Sequence, residues 1–294
     1  MKKLIKNILF LVLATIFLMY ALDFVYTYIY QNGIPRNKVA YVLSKQNKKI
    51  DYVFIGSSRV DNTIVPKIIT EITGKSSINL GMQGAKPDDY YLMLQLLHKQ
   101  NIVSDTVFIQ IDYTFNMEGT SDIINSSLMP YINDSLISSF LKERNPNFYK
   151  LKYIPFYRYL TFDYKLGFRE AFSTAIGKHP NINLESGYFP KYGSQGGKLA
   201  SVLPEFINKE NNTLNKINTF AKANDILIVY FMAPYCANTT NLDFSDKLKV
   251  KIPSMLNFTR VFIEEDDNFF NCSHLNDKGA KEFSKIMAKS ILNN

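Results

Sequence analysis

The 294-residue chain is poor in the side chains that most often bind metal ions, with two cysteines and three histidines. Neither cysteine stands at the spacing from another ligand that zinc sites use. Lysine and arginine are scattered along the sequence instead of forming the basic stripe of a nucleic-acid-binding protein. The sequence also has no internal repeat and no low-complexity segment. We therefore expect no metal, no organic cofactor and no nucleic-acid partner.

What the chain has in quantity is apolar side chains. They make up 46% of the residues, enough for a large core in one large or two ordinary domains. The net charge is +8, and about +5 of it remains when Lys2, Lys3 and Lys6 are left out. A mildly basic surface of this kind suits an anionic polymer of the cell envelope as a partner.

A basic flank and a long apolar run open the sequence. Residues 8–22 carry no charge, Asp23 follows, and residues 24–30 extend the run with the aromatic side chains typical of a membrane interface. A bilayer core is spanned by about 20 residues. A cleaved signal peptide would share these features, but the sequence shows no small-residue cleavage site and no nearby cysteine for lipidation. The pattern predicts an uncleaved single-pass anchor over residues 1–30 in the cell membrane, with the rest of the chain extracytoplasmic, periplasmic or at the cell surface.

Short apolar segments alternate with helical patterns in the rest of the chain. Residues 31–48 indicate a linker and a polar lead-in helix, and an α/β domain is predicted over residues 49–294. The predicted strands are 51–55, 77–80, 107–111, 226–231 and 260–263, and the predicted helices are 63–73, 87–100, 205–223 and 277–291. Continuous apolar strands that alternate with helices predict a parallel sheet covered on both faces.

The interval of about residues 117–204 interrupts this alternation and is rich in phenylalanine and tyrosine. A span of this length between sheet elements is typical of an inserted helical subdomain or lid. Its aromatic side chains either form the core of the insertion or offer a stacking platform for carbohydrate, and the two alternatives are compatible.

Four short blocks follow strands of the predicted sheet and carry side chains suited to chemistry. They are Gly56-Ser57-Ser58, residues 79–84, residues 111–116 and residues 271–280, which include His274. In open α/β sheets, ligands bind beyond the carboxyl ends of the strands. A serine at such an end can be activated by a histidine. Alternatively, the first block is an ordinary tight turn, with Asp61 or Asn62 as the N-cap of the next helix.

These blocks, in this order, resemble those of the SGNH/GDSL hydrolase superfamily over residues 50–116 and 225–292. Within it, the chain looks like the bacterial membrane-anchored branch whose first block reads Gly-Ser-Ser-Arg. The resemblance implies a three-layer, flavodoxin-like α/β fold. It also implies that Ser58 is the nucleophile, that His274 is the general base, and that the backbone N–H groups of Ser58 and Gly81 bind the oxyanion.

One departure from the family concerns the partner of the histidine. The family has an aspartate three residues before the histidine, where this chain has Asn271. An amide cannot stabilise an imidazolium as a carboxylate does, although cysteine-type sites use asparagine as the orienting residue. Three arrangements stay open: Asn271 orients His274, a nearby carboxylate (Asp266 or Asp267) replaces it, or Ser58 and His274 act as a dyad.

A second departure concerns the third block, where the family places an asparagine that contributes to the oxyanion hole. Asp112, Thr114 and Asn116 are all near this position, and we take Asn116 as the predicted donor.

Cys236 and Cys272 follow the fourth and fifth predicted strands, at the sheet edge that carries His274. An exported domain lies in a compartment that permits disulfides. A disulfide between the two cysteines is therefore predicted, and it would pin the histidine loop. The alternative is two unpaired cysteines in adjacent loops.

The membrane-anchored branch that the chain resembles is associated with acyl transfer or deacylation on cell-envelope polymers. The resemblance, together with the predicted anchor, therefore implies an extracytoplasmic serine esterase or O-acyltransferase that acts on acyl esters, in the first place acetyl esters, of a cell-envelope polysaccharide. Its partners would be the membrane, an envelope glycan or acyl donor, and a membrane acyltransferase. Asn271 favours the alternative of a degenerate SGNH-like protein that binds a polysaccharide or an assembly partner without reacting.

Overall fold

A five-stranded parallel sheet organises the larger part of the chain, which a computed structural model describes over residues 1–194 and 200–293. The order of its strands is β2-β1-β3-β4-β5, and all neighbouring strands are parallel. Two further strands form an antiparallel hairpin. The strands are β1 Tyr52–Ile55, β2 Ser77–Asn79, β3 Thr106–Gln110, β4 Ile228–Met232, β5 Leu256–Asn257, β6 Phe269–Asn271 and β7 His274–Leu275. The predicted α/β fold with a parallel, flavodoxin-like sheet is confirmed.

Helices connect these strands and fill the interval between β3 and β4. They are α1 Lys2–Asn32, α2 Lys38–Leu43, α3 Ser58–Asp61, α4 Pro66–Thr73, α5 Pro87–Lys99, α6 Asp122–Leu128, α7 Ser135–Arg144, α8 Phe148–Tyr153, α9 Tyr157–Thr161, α10 Asp163–Leu166, α11 Phe168–Ala175, α12 Asn212–Ala223, α13 Phe244–Lys251 and α14 Asp277–Leu292. Short 3-10 helices cover Tyr113–Asn116, Met129–Tyr131 and Asp266–Asn268.

The chain divides into two compact units. The helical unit comprises residues 1–41 and 122–180, and the sheet unit comprises residues 42–121 and 181–294. Most of the interval predicted as an insertion, residues 117–204, thus belongs with α1. Its residues 117–121, 181–194 and 200–204 belong to the sheet unit, and its residues 195–199 lie outside the described residues.

Helices cover the sheet on both faces because its strands alternate side chains between two apolar layers. On one face, Phe54, Phe108 and Phe231 share a core with α4 and α14, including Phe283 and Met287. Residues next to these in the strands, such as Val53 and Ile109, are also fully buried and face the opposite layer. There α5 and α12 pack against each other. This arrangement leaves the carboxyl ends of the strands to carry functional side chains.

Two predicted elements differ from the structure. Residues 260–263 form turns, not a strand, because Asn257 Oδ1 accepts from the N–H and the hydroxyl of Thr259 and bends the chain at the end of β5. Phe262 still reaches the core from these turns. Helix α12 begins at Asn212 and not near residue 205, because the Asn211 side chain accepts from Leu214 N–H and caps it.

Helix α1 is long and apolar enough to cross a membrane by its length and composition, features that a signal sequence shares. It extends two residues beyond the predicted anchor and ends before Gly33. A side chain at residue 33 would not fit, since a Cβ there would lie 2.5 Å from Thr174 Cγ2. The end of α1 is therefore packed closely within the helical unit.

Candidate active site

Ser57 and Ser58 have different tasks in the turn between β1 and α3. The Ser57 side chain is buried; its Oγ accepts from Arg59 N–H at 3.2 Å and donates to Gln110 Oε1 at 3.2 Å. Ser57, and neither Asp61 nor Asn62, therefore caps the first helical turn after the strand. Ser58 is partly exposed and begins α3, so its hydroxyl is the one available for chemistry.

His274 is presented by the β6–β7 hairpin, in which it stands opposite Asn271. The Ser58 Oγ and the His274 Nε2 are 2.8 Å apart. On the other side of the ring, His274 Nδ1 lies 3.0 Å from Asn271 Oδ1 and 3.0 Å from Ser273 Oγ. The structure thus brings together the three predicted residues in the order of a nucleophile, a base and an orienting group.

The hydrogen bonds around Asn271 select the tautomer of His274. Asn271 Oδ1 accepts from the backbone N–H and from the hydroxyl of Ser273, both at 3.1 Å. This oxygen can only accept, so the His274 Nδ1 that faces it carries the proton and donates. The lone pair is then on Nε2, where it accepts from the Ser58 hydroxyl. This is the tautomer that a general base requires.

The electrostatic surroundings of His274 disfavour its protonation. Burial, together with the positive charges of Arg59 and Lys191, lowers its pKa from 6.5 to about 4. In a serine triad, an aspartate at the position of Asn271 would oppose this shift. His274 is consequently neutral at pH 7, and an imidazolium at this position would be poorly stabilised.

Arg59, which follows Ser58, is buried at the centre of the site with 2% of its surface exposed. Its Nε lies 2.9 Å from Asp112 Oδ2, as an ion pair without the linear geometry of a hydrogen bond. Its Nη2 donates to the carbonyl oxygens of Ala233 and Pro234 at 2.8 and 2.9 Å. The guanidinium carbon lies 3.6 Å from the centroid of the Tyr235 ring. One side chain therefore connects the ends of β1, β3 and β4.

Arg59 also reaches the histidine hairpin, since its Nη1 donates to the carbonyl oxygen of Ser273. Asp112 is fully buried and accepts from the Tyr235 hydroxyl at 3.1 Å and from Thr114 N–H at 3.0 Å. Burial raises the pKa of Tyr235, which keeps that hydroxyl protonated as a donor. Sequence reasoning missed this role of Arg59. The sequence holds a signal for it, because the cation Arg59 directly follows Ser58 and Asp112 comes just after the apolar strand β3, at the same edge of the sheet.

Residues 79–84, the second of the four blocks, position α3 through hydrogen bonds and close packing. Asn79 is fully buried, and its Nδ2 donates to the carbonyl oxygens of Val60 and Ile64 at 2.7 and 2.8 Å. Gly81 N–H donates to Asn79 Oδ1 at 2.9 Å. A Cβ at Gly81 would lie 2.3 Å from Asp61 N, so only glycine allows this close approach. Gly81 thus has a structural role, and its N–H is engaged by a side chain in this state.

Asn116 is not brought to the Ser58–His274 pair. Its Nδ2 donates to Phe206 O at 2.6 Å, and its Oδ1 accepts from Asn208 N–H at 2.9 Å. Its amide therefore fixes the loop before α12. Among the described residues, no hydrogen bond joins His274 to Asp266 or Asp267, because its Nδ1 is taken by Asn271 and Ser273.

Cys236 and Cys272 form a disulfide, with an S–S distance of 2.04 Å. Cys236 N–H also donates to Cys272 O at 3.2 Å. Cys272 lies between Asn271 and His274 in the hairpin turn, so the loop after β4 is covalently joined to the segment that presents the histidine.

Residues 186–191, which the sequence analysis assigned to the helical insertion, belong to the sheet unit and lie beside the site. Ser186 O accepts from Asn79 N–H at 2.9 Å, and Lys191 O accepts from Asp277 N–H at 2.7 Å. Gly187 has a φ of +76°, and a Cβ there would lie 1.8 Å from Asn79 O. This glycine lets the segment pass close to the second block and place Lys191 near His274.

Comparison with models of protein families and with curated proteins finds no match. Among solved structures, the chain is similar to one from Desulfitobacterium hafniense DCB-2 that is named for the G-D-S-L family of lipolytic proteins. The identity is 12%, the TM-score is 0.28, and the match covers 83% of this chain and 99% of that one.

We expect the buried Arg59–Asp112 pair to contribute strongly to stability. Arg59→Met leaves Asp112 buried without its cation, and breaking a buried pair in this way costs about 3–5 kcal/mol of unfolding free energy. The double variant Arg59→Met with Asp112→Leu removes both charges and should be less destabilised than the sum of the two single variants. Urea denaturation followed by circular dichroism measures all three.

The exposed Arg260–Asp246 pair, with side chains 49% and 58% exposed, is the matched control. Arg260→Met should change the unfolding free energy by less than about 1 kcal/mol. Additive losses in the double variant of the buried pair would contradict the coupling.

We expect the disulfide to stabilise the sheet unit. It closes a loop with a sequence separation of 36, for which the loss of chain entropy in the unfolded state corresponds to about 4 kcal/mol. Cys236→Ser with Cys272→Ser should lower the unfolding free energy by an amount of this order. The reduced parent protein should have the same unfolding free energy as the double variant. A parent protein whose unfolding free energy does not change on reduction would refute the prediction.

Proposed function

We propose that this protein is an extracytoplasmic serine esterase or O-acyltransferase of the SGNH/GDSL type. The observation that carries the proposal is the hydrogen bond of 2.8 Å between Ser58 Oγ and His274 Nε2, with Nδ1 of the same ring held by Asn271. The sheet order and the position of the serine at the end of β1 also support it, because ligands of such sheets bind at that edge.

In the proposed reaction, Ser58 Oγ attacks the carbonyl carbon of an acyl ester while its proton moves to His274 Nε2. The tetrahedral intermediate collapses when the ester C–O bond breaks and the imidazolium returns the proton to the leaving alcohol. The acyl group, now on Ser58, passes to water in an esterase or to a sugar hydroxyl in a transferase. The backbone N–H of Ser58, in the first turn of α3, is the proposed oxyanion donor that needs no rearrangement.

Gly81 and Asn116 remain weaker candidates for the oxyanion hole. The Gly81 N–H would have to leave Asn79 Oδ1 or be shared with it, and the Asn116 amide would have to leave Phe206 and Asn208. Each missing donor typically costs about 2.7–4 kcal/mol of transition-state stabilisation. A slow or specialised reaction is therefore what this site supports best.

The low basicity of His274 limits the rate further. A lowering of its pKa from 6.5 to about 4 corresponds to about 3 kcal/mol against the imidazolium. The negative charge of the oxyanion that forms at the same time offsets part of this cost, because it attracts the imidazolium.

The proposed substrate is an acetyl ester of an envelope polysaccharide, and the proposed location is the outer side of the cell membrane. Three observations support this location and substrate class: an N-terminal helix suited to a membrane, a disulfide of the kind that forms outside the cytoplasm, and the positive charge of Lys191 near the site. A membrane acyltransferase that supplies acyl groups is the proposed partner.

Asn271 favours a second function, that of a binding protein which keeps the fold without reacting. Without a carboxylate, the site holds a neutral histidine beside two cations, an arrangement that can bind an anionic or acylated glycan. The labelling experiment below separates the two functions.

We expect a serine-directed fluorophosphonate to label Ser58 in the full-length protein in detergent. The full chain is needed because a chain that starts after α1 loses the contacts of Asp23 with the helical unit. Ser58→Ala should abolish the adduct, and His274→Ala should slow hydrolysis of small acetyl esters by roughly 10²–10⁴-fold, the usual contribution of a general base.

Ser57→Ala is the matched control, because it removes the neighbouring hydroxyl but leaves the Ser58–His274 hydrogen bond. It should retain the adduct. An intact site that reacts with no fluorophosphonate, in protein shown to be folded, would exclude the enzyme and leave the binding function.

We expect Asn271→Asp to raise both the activity and the pKa of His274. The active form has a neutral His274, so kcat/KM is lost as the pH falls through the pKa of this residue. In the parent protein this loss occurs near pH 4, where the pKa of His274 lies. A carboxylate 3.0 Å from Nδ1 would move the acid limb to higher pH.

NMR titration of the histidine ring protons measures this pKa directly, and His98→Gln and His179→Gln identify the signal of His274 among the three histidines. Ser273→Ala is the control, because it removes a contact to Nδ1 without adding charge. An unchanged acid limb in Asn271→Asp would show that residue 271 does not govern the base.

A further inference from the structure

We propose that part of the helical unit binds the lipid surface of the membrane that α1 crosses, at the level of the headgroups. The binding surface, here called the interface patch, consists of the exposed side chains of Tyr149, Lys150, Tyr153, Ile154 and Leu160, together with the partly buried Lys152. Its partner is a phospholipid bilayer. This inference is independent of the acyl chemistry and requires that α1 is retained as an anchor.

The charges of α1 fix where the helix leaves the hydrocarbon. The residues between Lys6 and Asp23 are uncharged. A helix rises 1.5 Å per residue, so these two charges are about 26 Å apart along the axis. The hydrocarbon core is about 30 Å thick, and a lysine side chain reaches several ångströms toward the headgroups. A helix that spans with Lys6 at one boundary therefore places Asp23 at the opposite boundary.

Asp23 also joins α1 to the other helices of the helical unit. Its Oδ1 accepts from Arg158 Nη2 at 2.6 Å, and its Oδ2 accepts from Phe156 N–H at 2.8 Å. Only 5% of the Arg158 side chain is exposed. Because these bonds are short and direct, the backbone at residues 156–158 lies at the same boundary as Asp23.

The remaining contacts show at which height along the axis of α1 each segment of the helical unit lies. Tyr159 Oη lies 2.7 Å from Thr27 Oγ1, one turn above Asp23, and the Tyr131 hydroxyl donates to Tyr30 O at 3.2 Å. Residue 174 meets Gly33, about 15 Å above Asp23 along the helix axis. Residues 156–159 are thus the lowest of the contacting segments, and residues 174–177 are among the highest.

The interface patch flanks that lowest segment in sequence, at the end of α8 and in α9. Tyr153, Ile154 and Leu160 are 65%, 42% and 57% exposed, within four residues of Phe156. Such exposure of large apolar side chains marks an interaction surface. Tyr149 and Tyr153 stack with their ring centroids 6.2 Å apart. Tyrosine, leucine and lysine together are the composition of helices that bind at the headgroup level of anionic membranes.

The anchor helix carries the same kind of side chains at this level. Phe24 and Tyr28 are 71% and 61% exposed, and their rings stack with centroids 6.4 Å apart. The aromatic surface of α1 at the boundary and the interface patch therefore lie at one height. This shared height at the membrane boundary favours lipid over a protein as the occupant of the patch.

The test uses tryptophan fluorescence, because the natural chain contains no tryptophan. Leu160→Trp in the full chain gives a single fluorophore at an exposed position. The protein is reconstituted in phosphatidylcholine vesicles with phosphatidylglycerol, in which part of the lipid carries bromine at a shallow or a deep position of the acyl chain. We expect the shallow bromines to quench Leu160→Trp more strongly than the deep ones.

Ile176→Trp is the matched control within the same unit. Ile176 is 60% exposed, close to the 57% of Leu160, but lies at the height of Gly33. We expect the shallow bromines to quench Leu160→Trp at least twofold more than Ile176→Trp, and acrylamide in the water to quench Ile176→Trp more. Phe24→Trp, on the anchor helix itself, gives the bromine quenching expected for a residue at the membrane boundary.

Equal bromine quenching of Leu160→Trp and Ile176→Trp would overturn the proposal, and Tyr153→Trp repeats the comparison at the other end of the patch. A vesicle-bound chain whose intact mass lacks α1 would overturn it as well. If Leu160→Trp is protected from acrylamide only when a second membrane protein is added, the patch binds a protein, and lipid binding is refuted.

Discussion

The buried ion pair of Arg59 and Asp112 is the interaction on which the geometry of the site depends. Arg59 directly follows the proposed nucleophile at the end of β1, and its guanidinium contacts the ends of β3 and β4 and the hairpin that presents His274. A buried guanidinium has no alternative partner in water, so every acceptor around it must stay in place. The relative positions of Ser58 and His274 are in this way fixed by a residue that touches neither reacting atom.

The same cation has a cost for the chemistry. It helps to depress the pKa of His274, and Asn271 supplies no charge to compensate for it. The site thus combines a well-oriented base with weak basicity, whereas the usual serine triad obtains both from one carboxylate. Orientation survives the change to an amide because Oδ1 still accepts from Nδ1–H.

The sequence predicted the elements whose signals are local. Strands β1 and β3 are continuous apolar runs, and the glycine after β1 marks the turn to α3. The edge strand β5 spans only Leu256–Asn257, which is too short for a detectable pattern, and the apolar residues 261–263 place the predicted strand too far along the chain. The proximity of Ser58 and His274 followed from their shared sheet edge. The burial of Arg59 could not be predicted, because its partners are 53 to 214 positions away in the chain, and a charged residue in a first helical turn usually faces solvent.

The separation of 216 positions between Ser58 and His274 has a consequence for biosynthesis. Long-range contacts form late in folding, since the chain entropy of the intervening loop must be lost first. The ribosome makes the N-terminal part of the chain before the C-terminal part, so the segment with β1 and Ser58 exists before the segment with His274. A chain that has been made only as far as residue 273 therefore presents the Ser58 hydroxyl without the imidazole that contacts it.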